Sequence, residues 1–336
     1  MPSSHSATAG EYAGNRLTPL ARLLGLRGLL GEMLDNPHSF AETLPQLIRQ
    51  CVHSIQEACG ENADLALASI LVCQEGDYPS RHACNVAVLV EQVLKALGWR
   101  DNERLPVVAA ALTMNIAMHQ LQKELSQQST ALTEAQRQLI QQHPINGRDL
   151  LRELGVADAA WLECVLQHHE APDGSGYPQQ LTGDAVLFEA RLIGLADRYC
   201  AMLSKNAWRR GQQADAALIS ALNSSAKSVD GKLGRIFTQT LGPYPPGALV
   251  KLLTGEICMV QSAGRSLETP LLIVLFDAAG RAVKPLLLRD SFQLEYSIQE
   301  VLDLQSAPGP ISLTRVWGPD ARLPEPAPAA ASTASA

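Results

Sequence analysis

Apolar residues recur at helical spacing through most of the first 240 or so positions. Phe40 to Cys59 and Asn62 to Cys73 read as amphipathic helices separated at Gly60. Leu17 to Leu34 reads as one or two short helices interrupted at Gly25, Gly28 and Gly31. Val86, Ala87, Val90, Val93, Leu94 and Leu97 form the stripe of a helix over Ser80 to Leu97 that stops at Gly98, and His82 lies on that stripe. Pro106 to Met118 is a further apolar helix with Pro106 at its first position. Thr133 and Gln136 make a capping box for the helix carrying Leu139, Ile140 and His143. Asp158 caps a helix that runs through Trp161, Leu162, Val165 and Leu166 to His168 and His169. Over Ala185 to Ser204, Asp197 shares a face with Val186, Ala190, Ile193 and Ala201.

After Gly242 the period shortens. β-rich runs at Ala248 to Leu253, Glu256 to Gln261, Pro270 to Phe276 and Ala282 to Leu288 predict a small antiparallel unit, and Ser297 to Leu304 predicts a last short helix. The expected class is mainly α, a helical bundle with a small C-terminal β unit. Its expected divisions are a disordered start at 1–15, an N-terminal helical segment at 16–75 and a helical core at 76–241. A β unit at 242–290, a C-terminal segment at 291–318 and a disordered Pro/Ala/Ser-rich tail at 319–336 follow.

Composition narrows the function. With 336 residues and 46% hydrophobic content the chain can bury a sizeable core. A net charge of −7 argues against a general nucleic-acid partner. Seven Cys without CxxC spacing predict reduced, packed thiols and a cytoplasmic setting. No apolar run reaches the roughly 20 residues that span a bilayer. Neither a P-loop nor a GxSxG elbow is present.

The chemistry concentrates at His168-His169-Glu170-Ala171-Pro172-Asp173-Gly174-Ser175-Gly176-Tyr177-Pro178. Two adjacent imidazoles at a helix end can reach one centre, because the chain there leaves helical geometry. His82, His143, His168, His169 and Asp197 come from four helices, each on an apolar face. Burying them unpaired would be costly, so the spacing fits either a metal site or a hydrogen-bonded polar core.

From Asp77 to Val250 the chain resembles the HD-GYP branch of the HD phosphohydrolase superfamily, bacterial signalling proteins that act on cyclic di-GMP. The resemblance rests on Asp77-Tyr78-Pro79-Ser80-Arg81-His82, Leu132-Thr133-Glu134 with His143-Pro144, the HHE to GYP stretch, Ala196-Asp197, and Tyr244-Pro245-Pro246-Gly247. It implies a helical bundle around iron or manganese. His82, His143, His168, His169 and Asp197 stand at ligand positions, and Gly176, Tyr177 and Pro178 form a loop associated with docking onto diguanylate cyclases (GGDEF proteins).

The family's His-Asp pair is missing. Where members read A-L-L-H-D-I-G-K, this chain has Ala111-Leu112-Thr113-Met114-Asn115-Ile116-Ala117-Met118. An Asn amide cannot supply the second anionic oxygen that bridges two cations, Met114 offers a soft thioether, and Met118 removes a cation expected near phosphate. His119 lies about 100° around the helix from the lost Lys position and would have to swing inward to substitute. Further along, Cys200 and Asn206 replace an Asp and an Arg of the family, Arg209 keeps a basic nucleotide-contact position, and Tyr78 stands where some members have a carboxylate.

The resemblance with these losses implies a degenerate protein that binds cyclic di-GMP, pGpG or a protein partner with little or no hydrolysis. The alternative is a metal-dependent cyclic di-GMP phosphodiesterase with a reduced, mononuclear Fe or Mn site. A purely structural role, with the His and Asp residues held in a hydrogen-bonded core, is the third reading.

Overall fold

The computed structural model describes residues 17–205, 211–224 and 231–324. Arg209 and Asn206, the expected disordered start at 1–15 and positions 325–336 of the expected tail lie outside the described residues.

Helices α1 (Pro19–Asp35), α2 (Leu44–Glu61) and α3 (Ala63–Val72) lead into α4 (Tyr78–Ala96) and α5 (Asp101–Thr113). Then come α6 (His119–Gln127), α7 (Glu134–Glu153), α8 (Ala159–Gln167), α9 (Phe188–Leu203), α10 (Ala214–Ser224) and α11 (Gly231–Leu241). One apolar cluster runs from Leu23 on α1 through Val86 to Val93 on α4 and Val107 to Leu112 on α5 to Phe237 on α11. The lead-in helices and the expected core are therefore a single packed body.

α1 is one continuous helix, not the one or two short, interrupted helices read from its glycines. Leu20, Leu23, Leu30, Met33 and Leu34 are all buried, and that packing outweighs the cost of about 1 kcal/mol per helical Gly. Gly31 lies against the Ser80 side chain, where a Cβ would come within 3.0 Å of Oγ. The start of α4 is held by Asp77, which accepts from Ser80 N (3.1 Å) and Oγ (2.8 Å).

α5 differs from the expected Pro106–Met118 helix at both ends. Glu103 accepts from the Arg100 backbone N–H (2.8 Å), and Asp101 and Glu103 suit the positive helix start, so Pro106 sits inside the helix. The helix stops at Thr113, whose Oγ1 donates to Ala109 O (2.8 Å) and accepts from Trp161 Nε1 (2.7 Å). Met114 and Asn115 occupy the turn that follows, before a 3-10 turn at Ile116–Met118. The Thr133 box and the Asp158 cap are both formed.

Strands β1 (Leu249–Leu252), β2 (Ile257–Ser266), β3 (Thr269–Phe276), β4 (Leu288–Asp290) and β5 (Ile298–Leu302) make one antiparallel sheet in the order β4-β3-β2-β1-β5. β5 replaces the predicted Ser297 to Leu304 helix. Ile298, Val301 and Leu302 have helical spacing, but the open edge of β1 needs backbone partners and takes them from this segment. Alternation then covers both faces. Val250, Cys258, Val260, Leu272 and Val274 share one face, and Leu249, Met259, Ile273 and Leu275 the other. The second face packs on Leu20 of α1, Leu65 and Ala68 of α3, and Trp317 of α12 (Leu313–Trp317).

The disordered tail expected from 319 is corrected at its start. Asn62 Nδ2 donates to Asp320 Oδ2 (2.8 Å), Thr18 Oγ1 donates to Arg322 O (2.6 Å), and Ala321 is buried. These contacts pin residues 320–322 to the beginnings of α1 and α3.

Candidate metal centre

Helices α7, α8 and α9 deliver the polar residues to one place. His143 lies on α7, His168 and His169 at the end of α8, and Asp197 on α9. Close approach of α9 to the two-histidine turn requires Gly194, where a Cβ would stand 2.3 Å from His168 O.

The tautomers of two imidazoles follow from their backbone partners. His143 Nδ1 faces Ile140 O at 2.5 Å and His168 Nδ1 faces Val165 O at 2.7 Å. A carbonyl only accepts, so each Nδ1 carries the proton and each neutral ring presents a bare Nε2. These two Nε2 atoms are 3.1 Å apart. Burial, with His168 nearby, lowers the His143 pKa to about 3, burial lowers that of His168, and burial followed by the charge of His168 takes His169 well below its ordinary value. The rings are therefore neutral at pH 7.

Two bare lone pairs at this distance repel, and a cation between them removes the conflict. Nitrogens bound at about 2.1 Å to one ion lie about 3.0–3.4 Å apart, so the pair fits an ion. His169 completes a set of three whose ligating nitrogens all lie within 4.8 Å of one another. The residues present suit a metal ion.

Asp197 and His82 form a second unit. His82 Nε2 donates to Asp197 Oδ1 at 2.7 Å, and His82 Nδ1 is buried with no partner. Burial pulls the Asp197 pKa up, but the hydrogen bond and charge of His82 outweigh it and hold the carboxyl below its ordinary range. The five expected residues thus divide into a three-imidazole cluster and an adjoining His–Asp pair.

The loop after His169 is tied to the cluster. Glu170 accepts from Gln179 N (2.5 Å) and Leu181 N (2.9 Å). A Cβ on Gly176 would meet Ala171 N at 2.4 Å and His169 O at 2.6 Å, so only glycine fits. Tyr177 stacks on His169, with ring centroids 4.7 Å apart and 24° between planes, and Tyr177–Pro178 is a cis peptide. Burial raises the Tyr177 pKa, which keeps its hydroxyl protonated. The Tyr177 side chain faces the histidines, while Asp173, Ser175, Gln179 and Gln180 are the exposed part of this loop.

At the lost His-Asp positions, Met114 is 0% and Asn115 7% exposed, and Asn115 Oδ1 is buried without a hydrogen-bond partner. Met118 is half-buried. His119 does not substitute for the lost Lys, because its Nε2 lies 3.1 Å from Asp35 Oδ1, beside the Asp35–Lys123 ion pair that fastens α6 to the end of α1, and burial lowers its pKa. Sequence reasoning missed Gly194 and the tie from Glu170 to the loop. Glycine within an apolar helix was the available signal for the first.

An HD domain family model matches residues 66–233, half of the chain. The chain belongs to the HD domain family. Its HD domain therefore takes in α4 to α9, which carry every residue of the cluster. A cyclic di-GMP phosphodiesterase of Pseudomonas aeruginosa, PA4108, is 26% identical over 257 residues, covering 76% of this chain and 60% of the relative. The cyclic di-GMP phosphodiesterase PdeB of Borreliella burgdorferi is 23% identical over 184 residues, 55% of this chain and 48% of that protein. The chain thus spans about half to three fifths of the length of these curated relatives. Among solved structures, the HDG"Y"P protein Bd1817 of Bdellovibrio bacteriovorus superposes with a TM-score of 0.53 at 16% identity, over 64% of this chain and 69% of that one, which shows the shared fold. Among the described residues no helix is long and apolar enough to cross a membrane.

Proposed function

We propose that this HD domain is a metal-dependent phosphodiesterase for cyclic di-GMP with a reduced, mononuclear site on His143, His168 and His169. The observation that carries it is the pair of bare Nε2 atoms 3.1 Å apart with a third imidazole in reach. The names of the curated relatives support hydrolysis over binding alone. Imidazole nitrogens suit iron, the neighbouring Asp197 carboxylate would suit manganese as well, and such an ion, when bound, would polarise a phosphodiester and acidify water.

The chain's own residues orient and enclose. His82 fixes the Asp197 carboxylate, which stays ionised beside the neutral rings. Tyr177 covers one face of His169 and limits the approach of water from that side. Asn115 stands where a bridging carboxylate would hold a second ion, so turnover is expected to be slower than at a dinuclear centre.

A second reading, binding of cyclic di-GMP or pGpG with little hydrolysis, is favoured by the loss at Met114 and Asn115. In that reading a diguanylate cyclase partner would meet the exposed Asp173, Ser175, Gln179 and Gln180. Metal analysis and cyclic di-GMP turnover on anaerobically purified protein separate the two. Metal-dependent turnover that is lost in His169→Ala supports the first, saturable nucleotide binding without turnover supports the second, and neither binding nor turnover rejects both.

A further inference from the structure

None of the residues of the three-imidazole cluster lies on the C-terminal sheet, and one edge of that sheet is open. β4 pairs with β3 on one side and with no strand on the other. Leu287 O accepts from Val274 N (3.0 Å) and Ser291 N donates to Pro270 O (3.3 Å), so Leu287, Arg289 and Ser291 turn their backbone groups to β3. By alternation Leu286, Leu288 and Asp290 turn theirs outward. Asp290 O accepts from Gln293 N (3.0 Å), while Leu288 O meets only Arg289 Nη1, at 3.5 Å.

Edge strands that stay single are commonly guarded by Lys or by inward-pointing charge. Here the side chains at the outward positions are Leu286 and Leu288, 61% and 53% exposed, and Phe292 and Leu294 beyond them are 53% and 87% exposed. These four present on the order of 400 Å² of apolar surface, comparable to the largest patch on a typical monomer.

We propose that β4 pairs antiparallel with β4 of a second copy of this chain, about a two-fold axis through Leu287. In this register Leu286 of each copy lies opposite Leu288 of the other, and each such pair exchanges two backbone hydrogen bonds. Further along, Asp290 of each copy meets the exposed Lys284 of the other, so opposite charges face each other at both ends. An axis through Leu288 would set Leu286 against Asp290, and one through Arg289 would set Leu288 against Asp290, which singles out Leu287. One strand supplies both halves of every pair, as a two-fold interface requires, and an unrelated strand would not. With the strand backbones included, two such patches bury on the order of 1,000 Å², the lower limit of a specific interface, so the dimer is reversible in the micromolar range. This pairing is independent of the phosphodiesterase reading.

The test is sedimentation equilibrium of the full chain from about 1 to 200 µM. Wild type should dimerise reversibly. Leu288→Pro removes an outward N–H and leaves the bonds to β3 in place, so it should weaken the dimer at least about tenfold with thermal unfolding of the monomer unchanged. Lys284→Glu and Asp290→Lys each set like charges together at both ends and should each weaken it. An equimolar mixture of these two should dimerise again, because the mixed pair restores opposite charges at both ends. The mixture decides the matter if Leu288→Pro does not fold. A wild type that stays monomeric throughout overturns the proposal, whatever else covers the edge. So does a dimer that Leu288→Pro and both charge variants leave unchanged, or a mixture no better than its components.

Discussion

His143 Nε2 and His168 Nε2 face each other across 3.1 Å with neither carrying a proton. Each is fixed in that tautomer by a carbonyl one turn earlier in its own helix, Ile140 O and Val165 O. The arrangement is unfavourable when empty and favourable around a cation, so metal binding and fold stability are coupled at this contact.

Manganese or iron at about 100 times its dissociation constant should therefore stabilise the wild type by about 2.7 kcal/mol. His143→Ala should abolish most of that gain and cost little in metal-free protein, because it also relieves the lone-pair conflict. Thermal unfolding with and without metal checks both halves. A metal-induced gain that survives the substitution would contradict the assignment.

Gly176→Ala should destabilise the chain by about 1–3 kcal/mol, because the added methyl meets backbone atoms of residues 169–171 rather than a yielding side chain. Relief would come by shifting the loop and lifting Tyr177 from His169. Denaturant titration gives the stability change, and tyrosine accessibility to acetylation gives the shift.

A pH test is available at Glu256, away from the centre. Two hydrogen bonds from Arg289, at 2.8 and 3.1 Å, are the main cause of its lowered pKa. A carboxyl with a folded-state pKa below its unfolded value contributes stability above about pH 4.5 and loses it as pH falls through the folded value. Glu256→Gln should thus cost about 1 kcal/mol at pH 7, and the difference from wild type should shrink below pH 4.5. A cost that stays constant down to pH 3 would show that charge is not involved.

All seven cysteines are buried, and burial pushes the thiol of Cys51 up to about 11 and that of Cys84 to about 12. Iodoacetamide at pH 7.5 should label none of them in the native protein and all seven after unfolding, as read by mass spectrometry. Labelling of native Cys200, beside Asp197, would mean that α9 opens locally.

Much of the centre was legible because its residues sit in helices whose stripes mark the inside. His82, His143, His168 and Asp197 were placed by neighbours such as Val86, Ile140, Val165 and Ile193. What the stripes could not give was pairing. Nothing in the spacing says that Asp197 takes a hydrogen bond from His82, since that depends on how α9 packs on α4 and on the room left at Gly194. The same limit applies to Ser297 to Leu304, where local periodicity favours a helix and only the unpaired edge of β1 makes it a strand. Glycines misled in α1 for a related reason, since their propensity cost is small beside the burial of Leu20, Leu30 and Met33.

Thr18 and Arg322, joined by a hydrogen bond, are 304 positions apart. During synthesis the side of α1 that carries Leu20 waits for Met259, Ile273 and Trp317 before it is covered. At about 5–20 residues per second that interval is about 15–60 s. That side of α1 is made early and covered late, and for this interval its apolar surface is open to non-native contacts.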